Sequence, residues 1–154
     1  MVARLALATG MTDAELKVLA WGVGLLFAYG PLHLTGLEII RRIRPGASRH
    51  AVLGLLTTFW GLAVLHLLEI AIAAALLAHL LNDPINGVIT PGSGSAAADH
   101  LYIAGVSFAT LGFAHLEADG PIRLLVMLLS LSGFMLITWS AAFIFTIWGE
   151  NFRR

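Results

Sequence analysis

The chain has 154 residues, of which 58% are hydrophobic and 12% charged, and its nine basic and nine acidic side chains cancel at pH 7. A mean hydropathy of +0.88 means more apolar surface than a soluble domain of this size can bury, and the missing basic excess excludes nucleic acid as a partner. The sequence contains no cysteine, so disulfides, thiolate metal sites and thiol nucleophiles are excluded as well.

Met1 to Gly10 carries one arginine and only a short apolar run, so a cleaved leader is not expected there. Leu16 to Ile40 is the first segment above the roughly 20 helical residues that cross a bilayer core. Arg41, Arg42, Arg44 and Arg49 crowd the loop that follows, and Ala51 to Leu81 forms the second apolar segment. Asn82 to Gly120 opens with the breakers Asn82-Asp83-Pro84 and Asn86-Gly87 and continues through Thr90-Pro91-Gly92-Ser93-Gly94-Ser95, which predicts an exposed, flexible turret-like loop. Ala96 to Ala109 is semi-polar and too short to span, and a second breaker, Gly120-Pro121, precedes the third apolar segment, Ile122 to Trp148. Helices are the only spanning structure for such continuous apolar runs. The expected architecture is therefore all-α and integral to the membrane, with three transmembrane helices and a re-entrant helix and loop between the second and third. Residues 1-50 make an N-terminal helix and basic loop, and 51-154 a module of two spans around the re-entrant segment. No internal repeat is visible, so a single-chain transporter built from duplicated halves is disfavoured.

Ser107-Phe108-Ala109-Thr110-Leu111-Gly112-Phe113-Ala114 is a short polar, glycine-bearing break just before the third span. Read with Tyr102 upstream, it resembles the pore helix and selectivity filter of the potassium-channel superfamily, and Gly133 to Phe145 resembles the inner helices of its small prokaryotic members. The filter signature is Thr-x-Gly-Tyr/Phe-Gly followed by an acidic residue. Thr110, Leu111, Gly112 and Phe113 fit the first four positions, while Ala114 stands at the second glycine and His115 at the acid. The resemblance covers about Asp99 to Trp148.

It implies a homotetrameric channel, not an enzyme, with no cofactor. Backbone carbonyls of Thr110 to Ala114 from each copy would replace the hydration shell of a monovalent cation. Potassium preference or weak selectivity is expected, because Ala114 in a left-handed conformation would cost about 1–2 kcal/mol per copy. Thr110 would add its hydroxyl to the innermost ion site, and Phe113 would pack behind the filter against Tyr102 or Phe108. The alternative is a re-entrant or interfacial segment with a chance Thr-x-Gly-Phe.

Glu117 and Asp119 could restore at the outer mouth the negative charge that His115 removes, or form a solvated acidic loop. His115 itself is either a pH-sensitive group at the mouth or an exposed loop histidine. In the third span, Gly133 is either a hinge or a close helix contact. Ser130, Thr138 and Thr146 offer the polarity of a hydrated cavity, Trp139 is a packing residue, and Trp148 is an interfacial anchor.

The short-loop arginines and Arg153-Arg154 fall on one side if the chain crosses three times, which puts the C-terminus in the cytoplasm and the N-terminus, turret and filter outside the cell (inner) membrane. His66 and Glu69 share a face of the second helix and form an ionisable pair inside the membrane. Such a pair could brace or titrate against the pore helix, or fix packing as a hydrogen-bonded pair. His33 and His79 extend the list. A rival reading takes His33, His66 and His79 as haem or metal ligands of a redox protein, although His66 and His79 point about 220° apart around a helix. A third is a non-conducting accessory protein with a degenerate filter. No voltage sensor is evident, since Glu38 through Arg49 lacks an arginine at every third residue.

Overall fold

The computed structural model describes residues 10–45, 51–90, 92, 94–112 and 116–152. Three long helices dominate: α1 (Asp13–Ile43), α2 (Ala51–Leu81) and α4 (Ile122–Phe152), each of 31 residues, with the short α3 (Ala96–Phe108) between α2 and α4. All three are long and apolar enough to cross a membrane. At 1.5 Å per residue each is about 46 Å long, longer than the roughly 30 Å hydrocarbon core.

The second helix has the bounds expected from hydropathy, whereas the first and third run past their apolar segments. The first begins early because Thr12 and Glu15 form a capping box, with Glu15 N–H donating to Thr12 Oγ1 (3.2 Å) and Thr12 N–H to Glu15 Oε2 (2.7 Å). Asp13 and Glu15 in its first turn and Arg41 and Arg42 in its last complement the helix dipole. Ser95 caps α3 by accepting from Ala98 N–H.

Among the described residues, the connection between α2 and α4 holds regular structure at both of its ends. A 3₁₀ turn, Pro84–Asn86, leads into β1 (Val88–Ile89), which pairs antiparallel with β2 (Ala118–Asp119) in the register Val88↔Asp119 and Ile89↔Ala118. This two-rung ladder joins the start of the loop to its end. Asn86, fully buried, anchors it by donating to the Leu80 carbonyl at 2.7 Å. A Cβ on Gly87 would lie 2.1 Å from the Asp119 carbonyl oxygen, so the turn requires glycine there.

The first helix shares one core with α2, α3 and α4. Val18, Leu25 and Tyr29 of α1 share one buried cluster with Ala73 and Leu77 of α2, Ile103 and Phe108 of α3, and Leu125 and Leu129 of α4. Small residues let α1 approach its neighbours, since Gly36 lies under Leu65, Gly61 under Ile40, and Gly22 under Leu128. Lys17 pairs with Asp83 (3.2 Å) at one end of the bundle, and Arg41 and Arg44 pair with Glu150 at the other. The basic end of α1 and the C-terminal end of α4 therefore lie together, as three crossings require. Phe27, Trp60, Leu67 and Phe145 remain exposed on the outer faces, surface suited to lipid or to further copies.

Candidate functional site

At its C-terminal end α3 closes with a Schellman-type cap: Leu111 N–H donates to the Val106 carbonyl (3.1 Å) and Thr110 N–H to that of Ser107 (3.0 Å). This cap needs a left-handed residue, normally glycine, and Thr110 occupies it at φ 55°. Among the described residues Thr110 is the only non-glycine with positive φ, and for a β-branched side chain that conformation costs about 1–2 kcal/mol. Two residues on, Gly112 is also left-handed at φ 68°, with nothing within 4 Å of where a Cβ would stand. Backbone conformation, not space, requires glycine there. Leu111 is exposed. Phe113, Ala114 and His115 lie outside the described residues, so the contact expected between Phe113 and Tyr102 or Phe108 is not described. Phe108 is buried and turned into the bundle, and Tyr102 is exposed.

Beyond the filter-like segment, Glu117 and Asp119 expose their side chains beside β2. The Glu117 carbonyl accepts from Thr90 N–H (2.9 Å), and Asp119 Oδ1 accepts from Gly120 N–H (2.8 Å).

Gly133 is buried where α3 meets α4. A Cβ there would lie 2.0 Å from the Phe108 carbonyl oxygen and 2.7 Å from Phe108 Cα. It is therefore a close contact with the backbone that ends α3. Ser130, Thr138 and Thr146 donate to the carbonyls of Val126, Phe134 and Ala142, four residues back, the local bond by which hydroxyls are satisfied in apolar surroundings.

Behind α3 the structure gathers a polar ring at mid-helix depth. Glu69, with no exposed surface, sends Oε1 to His33 Nδ1 (2.8 Å) and Oε2 to His66 Nδ1 (2.9 Å). On the far side of both imidazoles Ser140 Oγ lies 3.3 Å from His33 Nε2 and 3.1 Å from His66 Nε2. The rings stack with centroids 5.6 Å apart and a 22° interplanar angle. Tyr29 Oη–H donates to the Glu69 carbonyl at 2.5 Å. Trp139 packs beside His33, and the Phe108 ring lies 5.5 Å from that of His66, so the polar ring abuts the last residue of α3.

Hydrogen counting sets the protonation of this ring. Four contacts need four hydrogens; the serine hydroxyl supplies one and two neutral imidazoles supply two. The fourth makes either one imidazolium opposite a carboxylate or a carboxylic acid between neutral imidazoles. Both states are neutral overall, which suits a site where charge burial is costly.

The pair His66 and Glu69 was visible in sequence; His33, Ser140 and Tyr29 come from other helices. Of the three histidines proposed together as ligands, His33 and His66 meet, while His79 is exposed with its ring 6.1 Å from that of Trp21. The trio is not one site. Ser140 could have been suspected only as a hydroxyl within an apolar stretch.

A family model described as ion channel matches residues 55–149. That span holds α3, Thr110 to Asp119, Gly133, His66, Glu69 and Ser140. No curated protein and no solved structure matches the chain.

Proposed function

The chain belongs to the ion-channel family, and on that premise we propose that it is a passive monovalent cation channel, potassium-preferring or weakly selective, in which four copies surround one pore. The observation that carries this reading is the end of α3, where Thr110 and Gly112 both turn left-handed between two membrane-long helices. Alternating backbone hands let successive carbonyls face one axis, as a dehydrating filter requires. In this reading α3 is the re-entrant pore helix, Thr110 to Ala114 supply carbonyls to the permeant ion, and α4 is the inner helix. Glu117 and Asp119 attract cations at the outer mouth, and His115, two residues before Glu117 in the sequence, opposes that attraction when protonated. The protein acts in the cell inner membrane with its N-terminus outside and its C-terminus cytoplasmic, and it needs no cofactor.

Reconstitution in liposomes tests this. Potassium flux above sodium flux is expected for the wild type, with the difference widening in Ala114→Gly, where glycine returns to the fifth filter position. Equal fluxes would assign a non-selective pore. Flux in the variant alone would mark the native filter as a collapsed one, the accessory reading, and flux in neither would end the channel reading.

Gly112→Ala should leave the fold and the tetramer intact, since the position is open. It should nevertheless strain each copy by about 1–2 kcal/mol. Potassium flux is expected to fall severalfold while the oligomer on a native gel is unchanged; undiminished flux would remove Gly112 from the conduction path.

A further inference from the structure

We propose that His33, His66 and Glu69 form a binding site for one divalent transition-metal ion of the zinc class, with Ser140 holding both imidazoles in the required tautomer. The site stands on the contacts of three helices and not on conduction, so it survives or fails independently of the channel reading. One donor atom from each of the three residues lies within 4.8 Å of the others, and the two Nδ1 atoms are the ones that converge on the carboxylate. Two imidazole nitrogens and a carboxylate are a donor set that zinc takes with a fourth position left to water. Calcium and magnesium demand oxygen donors and do not fit.

The outer contacts argue for more than a hydrogen-bonded pair. A metal-bound histidine needs its second nitrogen to donate to an acceptor. Both Nε2 atoms reach the same hydroxyl oxygen, Ser140 Oγ, whose two lone pairs accept from both. The ring thus has two complete states: four hydrogens and no metal, or a metal on the Nδ1 side with both Nε2–H groups on Ser140. A divalent ion with one carboxylate leaves a net positive charge. The C-terminal, negative end of the α3 dipole terminates at Phe108, against His66. Bound metal would cross-link α1 and α2 behind α3, with α4 held to the site through Ser140.

The test uses tag-free full-length protein in detergent, stripped with chelator and then equilibrated with Zn²⁺ or Co²⁺. One ion per chain is expected by elemental analysis, with a four-coordinate Co²⁺ absorption spectrum and a raised melting temperature. Glu69→Gln preserves the ring's hydrogen bonds because the amide supplies both an acceptor and a donor, so this variant should fold and lose the ion. Ser140→Ala should keep the ligands and weaken binding by about 10–100-fold. His79→Gln, whose ring lies against Trp21, and His100→Gln, on α3, should bind like the wild type. No uptake by the wild type, uptake that persists in Glu69→Gln, or loss of uptake in His79→Gln would each overturn the site and leave a ring of hydrogen bonds only.

Discussion

Gly133→Ala is expected to destabilise the folded chain by about 3 kcal/mol, at the upper end of the range for overpacking, and to abolish potassium flux. The added methyl would lie 2.0 Å from the Phe108 carbonyl oxygen and 2.6 Å from its carbon. A side chain could rotate out of the way, but these are main-chain atoms at the end of α3, so α3 must withdraw from α4 and carry Thr110 and Gly112 with it. Gly36→Ala and Gly61→Ala make a useful contrast, because their new methyls would meet the side chains of Leu65 and Ile40, which can repack at lower cost. Thermal unfolding in detergent and liposome flux would separate the two roles for Gly133. A hinge predicts altered opening with the melting temperature unchanged; a contact predicts that stability and flux fall together.

Glu69→Leu is expected to cost about 3–5 kcal/mol, the range for removing one partner of a buried ionic pair. Leucine fills similar volume but leaves two imidazole Nδ1 groups facing hydrocarbon, and the serine hydroxyl cannot serve them because it lies on the opposite side of both rings. Glu69→Gln is expected to stay within about 1 kcal/mol of the wild type, near the worth of one ordinary hydrogen bond. Its amide donates to one Nδ1 and accepts from the other, which reproduces the four-hydrogen ring without charge. Equilibrium unfolding of both variants checks this. A glutamine variant as unstable as the leucine one would show that the ring needs an ionised carboxylate opposite an imidazolium and would refute the state with a carboxylic acid between neutral imidazoles.

Much of the architecture was legible along the chain. The second span, Ala51–Leu81, coincides with its apolar run because hydropathy and helix length fail together at Asn82-Asp83-Pro84. The first span was read short at its start because Thr12 and Glu15 extend the helix through polar capping bonds, which a hydropathy reading does not register. The short α3 was placed within a residue by its composition and its length. The β1–β2 ladder was missed because two-residue strands have no period to detect, and its partners lie on either side of α3.

The candidate site divides along the same line. Thr110, Leu111 and Gly112 form one stretch of chain and could be singled out by a motif, although the left-handed turn at Thr110 follows from how α3 ends and not from any preference of threonine. His66 and Glu69 lie three residues apart on one helix, so helical geometry alone brings them together. His33 is 36 residues from Glu69, and Ser140 is 74 from His66; no periodicity links them.

Composition and hydropathy alone determined that this is a membrane protein of three long helices with a short fourth between the last two, because the cost of exposing backbone and apolar groups acts locally along the chain. Tertiary structure alone decided that Gly133 lies against the Phe108 backbone and that Glu69 has two histidines and a shared serine around it. Those contacts depend on how separate helices rotate and approach, and that is set by the fit of their side chains in three dimensions.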